Sequence, residues 1–104
     1  MRMLTDIALE IQSEWSNISP YAEPYLSPML YLGTIDDKYH YDDARSIVAY
    51  FLGNAGSWQG DKAREIKKEL KLLLKLPVGE HARQIELAIE GSAYWTKHKN
   101  PRWT

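Results

Sequence analysis

Apolar residues along this chain recur with helical spacing. Leu4, Ile7, Ala8, Ile11 and Trp15 fall at i, i+3, i+4, i+7 and i+11, which is one face of an α-helix. Thr5 is the expected N-cap, and Asp6 suits the positive start of such a helix. Ser16-Asn17-Ile18-Ser19-Pro20 ends it. The densest pattern runs from Tyr41 to Lys75. Asp42 is the expected cap of a helix whose stripe is Ala44, Ile47, Val48, Phe51, Leu52 and Ala55. Gly53, Asn54 and Gly56 supply its stop. Ser57 then opens a second helix over 58–75, with Ala63, Ile66, Leu70, Leu73 and Leu74 inward. Pro77 and Gly79 break the chain again. A last helix is predicted over 78–94, with Ala82, Ile85, Ala88, Ile89 and Ala93 or Tyr94 facing the core.

Residues 20–35 follow no such rule. Pro20, Pro24 and Pro28 recur every four residues, each able to start a helix and none suited to its interior. Ser27-Pro28 is the best start, with Met29, Leu30, Leu32 and Ile35 as a short apolar face. The alternative is an irregular aromatic-rich loop leading into one helical turn. Asp36 to Asp43 reads as a polar and aromatic connection. No segment alternates with period two, so no strand is expected. The pattern predicts an all-α fold. It is a compact single-domain bundle of four to five short helices around a central αα-hairpin. Residues 1–96 form the domain, and 97–104 (KHKNPRWT) form a tail that is mobile or laid on the surface.

Composition narrows the classes. The chain has 104 residues, 44% hydrophobic and 26% charged, which fits one globular domain rather than a disordered segment. Net charge is −1, with a pI near 6.3, so the whole protein is not a basic nucleic-acid footprint. The charges are unevenly divided. Residues 1–43 carry a net −6 and residues 44–104 a net +5. Opposite-sign parts that pack together account for this, as does a dipolar surface that orients a partner. There are no cysteines, which removes disulfides, thiol catalysis and cysteine-based zinc sites. The N-terminal MRMLTDIALEIQSEW has no signal-peptide core, and the longest apolar run, Ile47 to Leu52, is too short to span a bilayer. A soluble cytoplasmic protein without membrane contact is the expectation.

Two surfaces stand out. Arg64, Lys67, Lys68, Lys71 and Lys75 form a band on the second hairpin helix, with Glu65 and Glu69 on a flank. Such a band suits phosphates or an acidic partner. As plain structure it is a solvated helix face whose long stems cover the core edge. The aromatic residues comprise four Trp, seven Tyr and one Phe. Tyr and Trp carry a polar handle and favour half-buried positions and interfaces. Tyr21, Tyr25, Tyr31, Tyr39 and Tyr41, with Trp58, form the candidate protein-interaction surface. Their structural role would be to staple a poorly helical segment onto the bundle. His40 lies near Asp42 and Asp43, but His81 and His98 are distant and no HxxxH spacing exists, so no metal, cofactor or catalytic residue is assigned. The Ala49 and Gly53 spacing suggests a helix-turn-helix. Gln59 stands where that motif needs an apolar residue, so an ordinary αα-hairpin is preferred.

Several pairs between residues 25 and 70 form a wider pattern: Tyr25-Leu26 with Met29, Tyr39 with Tyr41-Asp42, and Arg45-Ser46-Ile47-Val48 before Tyr50-Phe51-Leu52. Asn54-Ala55, Trp58-Gln59-Gly60, Ala63-Arg64, Ile66-Lys67 and Glu69-Leu70 complete it. This resembles small uncharacterised proteins of phages and prophages of Gram-positive bacteria. Those more often carry Arg where Gln59 stands, and they lack the Ser27-Pro28 step. The resemblance implies a mobile-element origin and brings no activity or site. The expected function is a non-enzymatic interaction protein. A nucleic-acid-binding module using the basic band and a self-associating homodimer are the alternatives.

Overall fold

The computed structural model describes residues 1–87. Helix α1 spans Leu4–Glu14 and α2 spans Glu23–Met29. A two-stranded antiparallel sheet follows, β1 (Lys38–Tyr39) and β2 (Asp42–Asp43), with Lys38 opposite Asp43 and Tyr39 opposite Asp42. Helix α3 is Ala44–Gly53, α4 is Asp61–Leu74, and α5 begins at residue 80 and continues to 87, the last residue described. The fold is predominantly helical but not strictly all-α, because the small sheet interrupts it. The expected tail at 97–104, and inward positions Ala88, Ile89, Ala93 and Tyr94, lie outside the described residues.

Local chemistry shifts several predicted boundaries. Leu4 opens α1, and Met3 is its N-cap with no side-chain bond. Thr5 does not cap. Its hydroxyl donates to the Leu32 carbonyl (2.7 Å), while the Leu4 and Thr5 N–H groups bond the carbonyls of Gly33 and Leu32 at 2.9 Å each. The cap of α1 is therefore supplied by a distant loop. Helix α2 begins earlier than the Ser27-Pro28 signal suggested. Pro24 occupies its first turn, where a missing N–H costs nothing, and Pro28 sits inside, one residue from the end.

The 38–43 hairpin turns through His40 and Tyr41. His40 has a φ of 58°, the left-handed conformation that two-residue hairpin turns demand. No Gly or Asn marks the turn and each strand is only two residues long, so the periodicity could not reveal it. Asp43 rather than Asp42 caps α3, its carboxylate accepting from the Ser46 N–H at 2.8 Å; β2 runs through both aspartates and the helix opens at the next residue, Ala44. Helix α4 starts at Asp61 and not at Trp58. Its N-cap, Gly60, adopts φ 112° and ψ 175°, which only glycine takes without strain.

Helix α3 packs against α2 and α4, and α1 packs against the same two. The core between them is continuous. Leu4, Ile7 and Ile11 of α1 meet Leu26 and Met29 of α2, Phe51 of α3, and Ile66, Leu70 and Leu73 of α4. At one end Trp15, the C-cap of α1, lies nearly parallel to Trp58 of the α3–α4 connection, with centroids 5.3 Å apart and planes 9° apart. Phe51 meets Trp15 edge-on at 6.2 Å.

His81 fixes α5. It is fully buried, and its Nδ1 accepts from the Ile35 N–H at 2.9 Å. Its Nε2 lies 2.8 Å from the Arg2 carbonyl. A carbonyl can only accept, so Nε2 carries the proton and Nδ1 is bare. One imidazole thus satisfies two backbone groups from separate parts of the chain.

Two substitutions test this core. Trp58→Ala removes one plate of the indole stack and should cost about 3–5 kcal/mol in urea unfolding. His81→Leu strands the Ile35 N–H and Arg2 carbonyl, and should cost about 1–3 kcal/mol for each group left unpaired. A loss under about 1 kcal/mol in the same assay would show that α5 is held by other contacts.

Candidate interaction surfaces

The tyrosines among the described residues lie between positions 21 and 50, from just before α2 to α3. Tyr21, Tyr31, Tyr41 and Tyr50 are between 60% and 101% exposed, while Tyr25 and Tyr39 are half-buried. They are not independent. Tyr25 on α2 stacks on Tyr50 of α3 at 5.4 Å, and Tyr31 stacks on Tyr39 of β1 at 5.9 Å. His40 meets Tyr39 edge-on at 4.4 Å, so its ring is part of this aromatic cluster. Tyr50 was not among the predicted surface residues. It lies in α3 but off the apolar stripe of Ala44, Ile47, Val48 and Phe51, and that offset was the signal for its exposure.

Trp58 corrects the expectation. It is 5% exposed, stacked on Trp15, and belongs to the core. A ring of that size beside the α3–α4 connection fills the space that the two helices leave open.

The basic band divides. Arg64, Lys68, Lys71 and Lys75 are exposed. Lys67 turns inward, where its ammonium donates to the Trp58 carbonyl at 2.6 Å and sits 6.0 Å from the Trp58 ring centroid. Burial, aided by nearby Lys71, pulls the Lys67 pKa down. Lys67 is thus a structural donor closing the turn before α4. Arg64 is held by Asp61 one turn back.

Elsewhere the charges tie the acidic N-terminal part to the basic remainder. Arg2 grips Glu69 of α4 with two bonds, 3.1 and 2.7 Å, and reaches Glu10 of α1 at 2.8 Å. Lys62 joins Glu10 at 3.3 Å. The Glu69 bond is the main cause of a raised Arg2 pKa, and Arg2 in turn holds Glu10 below its ordinary value. Arg45 donates to Asp36 at 2.9 Å and to the carbonyls of Leu74 and Leu76 at 3.1 and 2.7 Å, capping the C-terminus of α4. The second oxygen of Asp36 accepts from the Gly79 N–H at 2.9 Å, just before α5. Burial acts to raise Asp37, but bonds from Thr34 and Gly33 outweigh it and leave its pKa lowered. Among the described residues, Lys67 alone is shifted toward its neutral form; the other shifted groups favour their charged state.

No three His, Asp or Glu side chains converge as a metal-binding group among the described residues. No helix among them is long and apolar enough to cross a membrane. The chain matches no family model, no curated protein and no solved structure.

The Arg45 guanidinium, then the Gly79 N–H, hold the Asp36 carboxyl below its usual range. A carboxyl lowered in the folded state stabilises the fold above its unfolded pKa of about 4 and loses that contribution as pH falls through the folded value. Asp36→Asn should therefore cost on the order of 1 kcal/mol at neutral pH and flatten the decline of the urea midpoint below about pH 5. Superimposable acid profiles for both proteins would refute this role.

Proposed function

We propose that this chain is a small non-enzymatic helical domain that acts by binding another protein through its tyrosine surface. The observation that carries the reading is the pair of ring stacks, Tyr25 on Tyr50 and Tyr31 on Tyr39, beside largely exposed Tyr21 and Tyr41. Exposed tyrosines that hold one another in place lose little freedom when a partner covers them. Each offers an apolar ring and a hydroxyl able to donate or accept. The α3–α4 pair is then a helical hairpin with a scaffold role, keeping Tyr50 under Tyr25.

The direction of the pKa shifts supports a non-enzymatic role. General acid–base chemistry needs groups tuned toward neutral pH, whereas carboxylates here are pushed further into their charged range by structural partners. Lys67, the one group among the described residues shifted toward neutrality, already donates to a backbone carbonyl. The likeness to phage and prophage proteins supports a mobile-element origin, and with it a partner met in the cytoplasm.

Affinity capture with the wild-type chain and with Tyr21→Ser/Tyr31→Ser/Tyr41→Ser tests the proposal. A defined protein should be retained by the wild type and lost from the variant, with helical content unchanged by circular dichroism. Identical captures would refute it. A rise in mass with concentration that the variant abolishes would identify the partner as a second copy of the chain.

A further inference from the structure

Helix α4 shows solvent an unusual crest. At 3.6 residues per turn, Arg64, Lys68, Lys71 and Lys75 fall within an arc of about 60°, on the side away from the buried Ala63, Ile66, Leu70 and Leu73. The fold removes the carboxylates that would neutralise them. Glu69 is drawn away by Arg2, and Glu65 lies beside Lys62 on the flank. Among the described residues only Asp61 reaches the crest, and it engages Arg64. Lys68, Lys71 and Lys75 are exposed and form no ion pair among the described residues.

We infer that this crest is a sequence-independent docking ridge for duplex nucleic acid, a binding surface separate from the tyrosines. Shape selects the occupant. A lone helix crest is convex, so it cannot enclose a small anion, whereas the major groove of a duplex is about 12 Å wide and admits a helix between two phosphate rails. Lys68 to Lys75 spans about 10 Å at 1.5 Å per residue. That equals the rise of about three nucleotide steps along the duplex axis at 3.4 Å each. Chemistry sets the specificity. Lysine contacts phosphate as a point charge, and the crest's single guanidinium is committed to Asp61. No Asn or Gln stands among these positions to read a base edge. The acidic N-terminal part disfavours other orientations on a polyanion, so the protein would bind by this one face.

Fluorescence anisotropy of a short labelled DNA duplex, at several salt concentrations, tests the inference. Three lysine–phosphate contacts give a slope of log K against log salt near −2.7, so affinity should fall about fortyfold from about 50 to 200 mM. Lys71→Gln should reduce that slope by about 1. Lys68→Gln/Lys71→Gln/Lys75→Gln should abolish binding while the thermal transition stays in place. The tyrosine triple variant should bind DNA as the wild type does, so failure here leaves the protein-binding proposal intact. No binding at the lowest salt, binding that survives the triple lysine variant, or tighter binding of polyglutamate than of the duplex would each overturn it. The last result would assign the crest, with the 47%-exposed Leu72 beside it, to an acidic protein instead.

Discussion

Residues 30–37 belong to no helix or strand, yet Leu32 and Ile35 lie in the core. A polypeptide cannot carry its backbone inward without partners for each N–H and C=O. Meeting that requirement organises the rest of the molecule. The carbonyls of Leu32 and Gly33 receive the first N–H groups of α1. Asp37 accepts from Gly33 and Thr34, and His81 from Ile35. Asp36 turns outward to Arg45 and Gly79, and Arg45 continues to the last carbonyls of α4. Four helices are thereby referenced to one irregular segment. The neighbouring β1–β2 hairpin then presents Tyr39 to Tyr31 at a fixed spacing.

The same network explains the charge division. Residues 1–43 are acidic and 44–104 basic, and ion pairs run between the two parts: Arg2–Glu69, Lys62–Glu10 and Arg45–Asp36. One of these places a cation in the acidic part and an anion in the basic part, so charge alone did not specify the pairing. Position did. What the pairs consume is as informative as what they leave. Arg2 takes Glu69 of α4 and the outer lysines are left, so a nearly neutral chain carries a locally basic ridge.

The amphipathic helices could be read from the sequence because their stripes are governed by local periodicity. Leu4 to Ile11, Ala44 to Phe51 and Ala63 to Leu73 are buried at the spacing that predicted them. Ends were less legible where non-local groups decide them. Thr5 resembles a cap, yet Leu32 and Gly33 accept the first N–H groups of α1, and no local motif encodes that. Asp43 took the place expected for Asp42 because the two-residue strand runs through both and the helix opens only at Ala44. Of the surface residues, the tyrosines were identifiable by type, but their ring partners were not, since Tyr25 and Tyr50 lie on different helices. Trp58 and Lys67 misled for a shared reason. Trp58 sits where α3 turns into α4, and Lys67, from the middle of α4, reaches back to its ring and carbonyl.

The borrowed cap of α1 constrains how the chain can reach this state. Thr5 and its acceptor at Leu32 are 27 residues apart, so the first turn of α1 is completed only after the intervening loop has closed. Closing such a loop costs entropy before any bond rewards it, and α1 is too short to persist alone in water. Its first turn is therefore completed only together with residues 32–33. During synthesis the N-terminal segment leaves the ribosome first but must wait for residues 32–33 to complete its first turn. The helix made first is thus closed by residues made later.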